Sequence, residues 1–227
     1  MGKRLTRETA DIVVHSTSKF INGHGTAIGG AIIDTGNYDW AAGPFEDIKQ
    51  LSEKVGQLAF LAHLRNLIYR DLGCCPAPMN SFLMLQGLET LSARMVKHCE
   101  NAEKLAQFLK SHPGICWVNY PGLTSSEFHS RVTELFNGRG GGLLTFGLDD
   151  KQKAFKFIDS LKLAKNLANL GDAKTLVIHP ASTIFHEFSD TEKEKMDVTA
   201  DMIRVSVGIE DFEDIKADFE QAFEKSS

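Results

Sequence analysis

Residues 11–16 (DIVVHS) form a β-branched run that closes on small polar residues, the pattern of a short buried strand. A glycine-rich stretch follows at residues 22–30 (NGHGTAIGG). A second apolar run at residues 31–33 then stops at the turn signal DTGN, residues 34–37. Two strands this close predict a hairpin or neighbouring sheet strands. From residue 45 to residue 69 apolar side chains recur at helical spacing, through Ile48, Leu51, Val55, Leu58 and Leu61. GCCPAP at residues 73–78 breaks that pattern, because proline donates no amide and restricts the residue before it. Helical spacing resumes over residues 79–109, as two helices or one long bent helix linking two domains, and SHPG at 111–114 stops it.

The second half has a different rhythm. Strands are predicted at residues 115–120, 143–148 and 199–207, with strand-like pieces between 167 and 178. Helices are predicted at 151–163 and 210–223, the latter with Glu and Asp in its first turns. Residues 121–137 read as loop and short helix. The alternation describes a small α/β layer domain.

Composition narrows the function classes. The 227 residues carry 25 Lys and Arg against 30 Asp and Glu, a formal net charge of −5. Such a balance offers no general attraction to nucleic acid or an anionic membrane. No apolar run reaches the roughly 20 residues that span a bilayer. The first residues, MGKRLTRETAD, have basic groups but no apolar stretch after them, so no secretory signal is expected. The four cysteines, Cys74, Cys75, Cys99 and Cys116, show no CxxC spacing and read as reduced thiols of a cytoplasmic protein. The histidines form no HExxH and no cluster with cysteine, so no metal site is expected.

Two segments can carry chemistry. In His15-Ser16-Thr17-Ser18-Lys19 a lysine lies just past a strand, with hydroxyls one and three positions before it. Partial desolvation there favours a free amine, which forms Schiff bases with aldehydes, and the hydroxyls can bind phosphate. Aldehyde and phosphate together describe pyridoxal phosphate (PLP). The alternative is a solvated lysine at a strand end. In Arg204-Val205-Ser206-Val207 an arginine sits in an otherwise apolar strand, which is costly unless a fork-shaped acceptor such as a carboxylate satisfies it. That acceptor is a ligand or an internal Asp or Glu. The glycines of residues 23–30 do not spell a dinucleotide fingerprint, because their spacing is GxGxxxGG and they precede a strand. GRGGG at 138–142 also precedes a strand and reads as a turn. His179 has no local pattern that assigns it a role.

Four stretches together carry a resemblance: DIVVHSTSKFINGHGTAIGGAIID, RDLGCCPAPMNSFLMLQGLETLSARMVKHCENA, NLANLGDAKTLVIHPAST and IRVSVGIED. Over essentially the whole chain they resemble the Cys/Met-metabolism PLP-dependent enzymes of fold type I, the cystathionine γ-synthase-like group. GGAIIDTGNYDW and NLANLGDAKTLVIHPAST are most similar to the O-acetylhomoserine sulfhydrylase branch. The resemblance implies an α/β fold corresponding to the C-terminal half of such a transferase. Residues 1–85 then match the end of the large PLP-binding domain, and 86–227 the small C-terminal α/β domain. Lys19 matches the lysine that holds the cofactor as a Schiff base and moves protons. Ser16 and Ser18 match the phosphate-binding hydroxyls, with Ser18 where threonine is more usual. Arg204 matches the arginine that grips the substrate α-carboxylate, and Asn169 a residue that helps hold it.

The implied reaction is γ-replacement in methionine biosynthesis: acetate leaves O-acetylhomoserine, and sulfide or a thiol adds to give homocysteine or methionine. Cystathionine γ-synthase and methionine γ-lyase share the lysine and arginine, and an inactive remnant is a further alternative. The family's pyridine-binding aspartate, ring-stacking tyrosine and phosphate-binding amides precede the matched region, and Asp11 lies too close to Lys19 to be that aspartate. The chain is therefore expected to expose a sheet edge and apolar faces, and to be marginally stable or to associate. Its partners would be a second copy, in a family tetramer, or the missing N-terminal half.

Overall fold

The structure is a computed structural model and describes residues 10–226. The basic segment of residues 1–9 lies outside the described residues. The chain forms two units. One comprises residues up to Ser18 with Ala27–Met84, and the other Lys19–Thr26 with Leu85 onward. Lys19–Thr26 thus belongs to the second unit, although it lies early in the sequence.

In the first unit β1 (Ile12–Ser16) pairs antiparallel with β2 (Gly30–Asp34), Ser16 opposite Gly30 and Val13 opposite Ile33. The predicted strand is there, but it is not buried: Val14 is 71% exposed. The reason is that β1 and β2 form a sheet of two strands, with no third strand beside them among the described residues. The single helix expected over residues 45–69 is instead α1 (Glu46–Val55), a 3₁₀ turn (Gly56–Leu58), α2 (Ala59–His63), a π turn (Leu64–Tyr69) and α3 (Arg70–Leu72). Gly56, at φ 59°, breaks the ladder after Val55, and left-handed Gly73 ends the run. Trp40 is buried and stacks on Phe60 at a centroid distance of 5.1 Å.

This unit leaves Val14, Ile28, Leu58, Leu72, Met79 and Phe82 more than half exposed, with Ile28 at 83%. Large apolar side chains so exposed favour association. The purified chain should accordingly self-associate at micromolar concentration in sedimentation velocity. A single monomer species over a hundredfold range of concentration would contradict that.

The second unit is built on α4 (Pro78–Ser111), whose course passes from Met84 in the first unit to Leu85 in the second. It is one continuous 34-residue helix. A five-stranded sheet follows in the order β3 (Trp117–Asn119), β4 (Leu143–Gly147), β7 (Met202–Ser206), β6 (Leu176–Ile178), β5 (Lys165–Asn166). All pairs are antiparallel except β5 with β6. Between β3 and β4 lies α5 (His129–Phe136). α6 (Lys151–Ser160) follows β4, and α8 (Phe212–Ser226) follows β7.

Leu144, Phe146, Val177, Ile203 and Val205 pack with Leu105 and Leu109 of α4, Phe157 of α6 and Phe219 of α8 into one buried core. Alternation along the strands puts Thr145, Arg204 and Ile178, which lie opposite one another in register, on the other face. Helix α6 stops at Ser160, three residues before the predicted end. Asp218 of α8 is buried and accepts the amides of Lys162, Leu163 and Ala164 at 2.8–3.0 Å, holding that segment extended. Helix α7 (Asp190–Lys195) was not anticipated, although its capping box, Ser189 with Glu192, is written in the sequence.

Candidate active site

Lys19 opens the segment that follows β1. Its Nζ donates to Asn169 Oδ1 at 2.7 Å. Asn169 stands in the loop between β5 and β6, and its backbone carbonyl accepts from Arg204 Nη2 at 3.3 Å. One residue therefore links the amine to the guanidinium. Arg204 is half-buried, and no carboxylate lies within ion-pair distance of it among the described residues. Burial lowers its proton affinity. This removes the reading of Arg204 as half of an internal ion pair. Its remaining N–H donors are available to an anion from outside the chain, and a carboxylate has the fork that matches them.

The loop backbone is shaped to the Lys19 segment. Gly171 has φ +74°, and its N–H donates to the buried Ser206 hydroxyl at 2.8 Å. A Cβ on Gly171 would come within 2.6 Å of Phe20 N. Gly25 has φ +65°, and a Cβ there would meet Asp172 Oδ2 at 2.6 Å. Ala173 N–H donates to Gly23 O at 2.8 Å. Residues 19–26 and 169–173 thus interlock at backbone level. Gly171→Ala forces a β-carbon onto a left-handed residue and pushes Phe20 away. It should cost about 1–3 kcal/mol in urea denaturation, and an unchanged midpoint would refute the interlock.

Inside the turn, fully buried Asn22 organises the chain. Its Oδ1 accepts the amides of His24 and Thr26 at 3.1 and 3.3 Å, and His24 Nδ1 lies 2.7 Å from Asn22 O. From α4, buried Arg94 donates to Phe20 O at 2.9 Å, Ile21 O at 3.3 Å and Gly87 O at 2.6 Å. At the far end of β7, His98 Nδ1 sits 2.7 Å from Val207 O, and burial lowers the imidazole's proton affinity. Asn101 donates to Gly208 O and Glu210 O.

The two serines lie in the first unit. Ser16 ends β1, is exposed, and its hydroxyl makes no hydrogen bond among the described residues. Ser18 accepts from Gly29 N at 2.9 Å and donates to Gly29 O at 3.3 Å. Ser16 therefore presents an uncommitted hydroxyl, whereas Ser18 is held by Gly29. His179 has a structural role, with Nδ1 2.8 Å from Ser182 Oγ and Nε2 2.8 Å from Ala200 O.

The geometry fits the group inferred from the sequence in two respects. Among the described residues Lys19 has a fixed polar partner and no acidic one, and Arg204 offers a cation without an internal counter-ion. Asn22, Gly171, Arg94 and His98 were not singled out by sequence reasoning. Gly87, Arg94, His98, Asn101 and Leu105 fall at core spacing along α4. Polar residues at positions where a helix buries its side chains were the signal.

A profile of the "Cys/Met metabolism PLP-dependent enzyme" family matches residues 4–224. Homocysteine/cysteine synthase of Saccharomyces cerevisiae is 47% identical, over 95% of this chain and 53% of its own length. O-acetyl-L-homoserine sulfhydrylase 1 of Thermus thermophilus is 42% identical, over 98% and 56%. Among solved structures, an O-acetylhomoserine (thiol)-lyase of Campylobacter jejuni with N'-pyridoxyl-lysine-5'-monophosphate superposes with a TM-score of 0.87. It is 38% identical, over 95% of this chain and 54% of its own. The chain spans about half the length of these relatives.

Proposed function

Since the chain belongs to the Cys/Met metabolism PLP-dependent enzyme family, we propose that it is the lysine-bearing portion of an O-acetylhomoserine sulfhydrylase. The reaction is replacement of acetate on O-acetylhomoserine by sulfide or a thiol, giving homocysteine or methionine, in methionine biosynthesis. The observation that carries this reading is Asn169, which holds Lys19 Nζ with its side chain and Arg204 with its backbone carbonyl. An amine and a carboxylate-binding cation held by one residue suit an α-amino acid substrate. The matched relatives, named homocysteine synthase and O-acetyl-L-homoserine sulfhydrylase, support this member of the family over the lyases.

PLP supplies an electron sink that acidifies the substrate's Cα and Cβ protons and so lets the γ-acetate depart. Lys19 would hold it through Nζ, and the family resemblance assigns Ser16 and Ser18 to its phosphate. Arg204 binds and orients the substrate carboxylate bidentately. Lys19, once its amine is free, carries protons, and Asn169 Oδ1 fixes where Nζ waits. The resemblance assigns the gripping of the pyridine ring to residues of the half that this chain does not match. The exposed apolar surface of the first unit suits a polypeptide equivalent to that half, or a second copy in a homo-oligomer. Small polar metabolites as substrates suit a cytoplasmic enzyme.

The assay supplies PLP and the unmatched half of a relative as a separate polypeptide. O-acetylhomoserine with sulfide should yield homocysteine. Faster formation of cystathionine from cysteine, or of methanethiol from methionine, would replace this reading with the synthase or the lyase.

A further inference from the structure

Arg94 is buried at 5% exposure in the middle of α4 and has no carboxylate partner among the described residues. A guanidinium so placed is costly unless its donors are satisfied, and burial lowers its proton affinity. A role in the helix alone would not call for it, since an apolar helix former fills such a site at no electrostatic cost.

Its donors outside its own helix go to one place. Nη1 reaches Phe20 O at 2.9 Å and Nη2 reaches Ile21 O at 3.3 Å, the two carbonyls directly after Lys19. Nη2 also reaches Gly87 O at 2.6 Å, tying the fork to its own helix. Nε donates to Thr90 Oγ1 at 3.0 Å, which sets the rotation of the fork. Gly87 lets the turn approach, because a Cβ there would lie 2.1 Å from Asn22 O. The turn closes on itself through Gly23 N to Lys19 O at 2.8 Å.

We propose that Arg94 is a positioning residue for Lys19: by clamping the Phe20 and Ile21 carbonyls to α4 it keeps Lys19 Nζ on Asn169. It acts through backbone and touches neither substrate nor cofactor. The planar fork addresses two successive carbonyls, which a lysine ammonium cannot reproduce. The inference rests on the reading of Lys19 as the cofactor lysine, and its test is run without cofactor so that the two fail independently.

The full chain is trace-acetylated at one pH, and each lysine is quantified by mass spectrometry against exposed Lys49 and Lys225. In the wild type Lys19, half-buried and hydrogen-bonded, should label about tenfold more slowly than those references. Arg94→Lys keeps the charge and loses the fork, and Lys19 should then approach the reference rate. Asn169→Ala should do the same. A folded Arg94→Lys protein with the wild-type labelling ratio at Lys19 would overturn the proposal. Should Arg94→Lys not fold, Thr90→Val decides: it keeps Arg94 and removes the bond that sets the fork, together with the Thr90 hydroxyl's own 3.3 Å bond to Gly87 O. A rise of about threefold at Lys19 supports the clamp, and no rise overturns it.

Discussion

Phe157→Ala should destabilise the second unit by about 3–5 kcal/mol, the range for emptying a large aromatic site in a tight core. Phe157 is fully buried. Its ring lies 5.7 Å from that of Phe146, 5.3 Å from Phe219 and 4.6 Å from Phe223. These rings join α6, β4 and α8, so the void has walls on three elements and cannot close by moving one. The urea midpoint should fall with little change in slope, because the surface exposed on unfolding stays nearly the same. A loss under about 1 kcal/mol would mean that this core is not the unit's main support.

Arg204→Met should act in the opposite direction. It replaces a half-buried guanidinium, held by a single 3.3 Å hydrogen bond, with an apolar side chain of similar length. With no internal counter-ion to strand, stability should rise by about 1–2 kcal/mol. On the proposed function the same change removes the cation that would bind the substrate carboxylate. A gain of stability together with loss of amino-acid binding is the signature of a residue kept for function. A clear loss of stability in Arg204→Met, measured by the same denaturation, would show instead that the guanidinium supports the fold.

The sequence made the core and the reacting groups readable and left their supports obscure. Apolar periodicity located β3, β4, β6, β7 and the closing helix, because Ile203 and Val205 or Phe219 and Phe223 must face the core wherever their neighbours lie, but it missed β5, whose two residues, Lys165 and Asn166, are polar. It misjudged the burial of β1. A β-branched run shows what a strand prefers, and Val14 is exposed because no further strand joins β1 and β2. Arg204 stood out as a charge in an apolar strand, and Lys19 as a lysine just past a strand with hydroxyls one and three positions before it. Asn169 could be assigned only through the family resemblance, because its value lies in two hydrogen bonds to residues 150 and 35 positions away. Arg94 was hidden for a related reason. A polar residue at a helix core position signals burial, but its acceptors are carbonyls 73 and 74 residues distant. No local pattern writes such a contact.

The most direct test of the account is covalent. The chain is mixed with pyridoxal phosphate, the imine is reduced with borohydride, and the pyridoxyl group is mapped by mass spectrometry. The account predicts a single modified lysine, Lys19, with the yellow absorbance and its reduction both lost in Lys19→Ala. Labelling spread over the exposed lysines, or a Lys19→Ala protein that traps as much cofactor as the wild type, would contradict it.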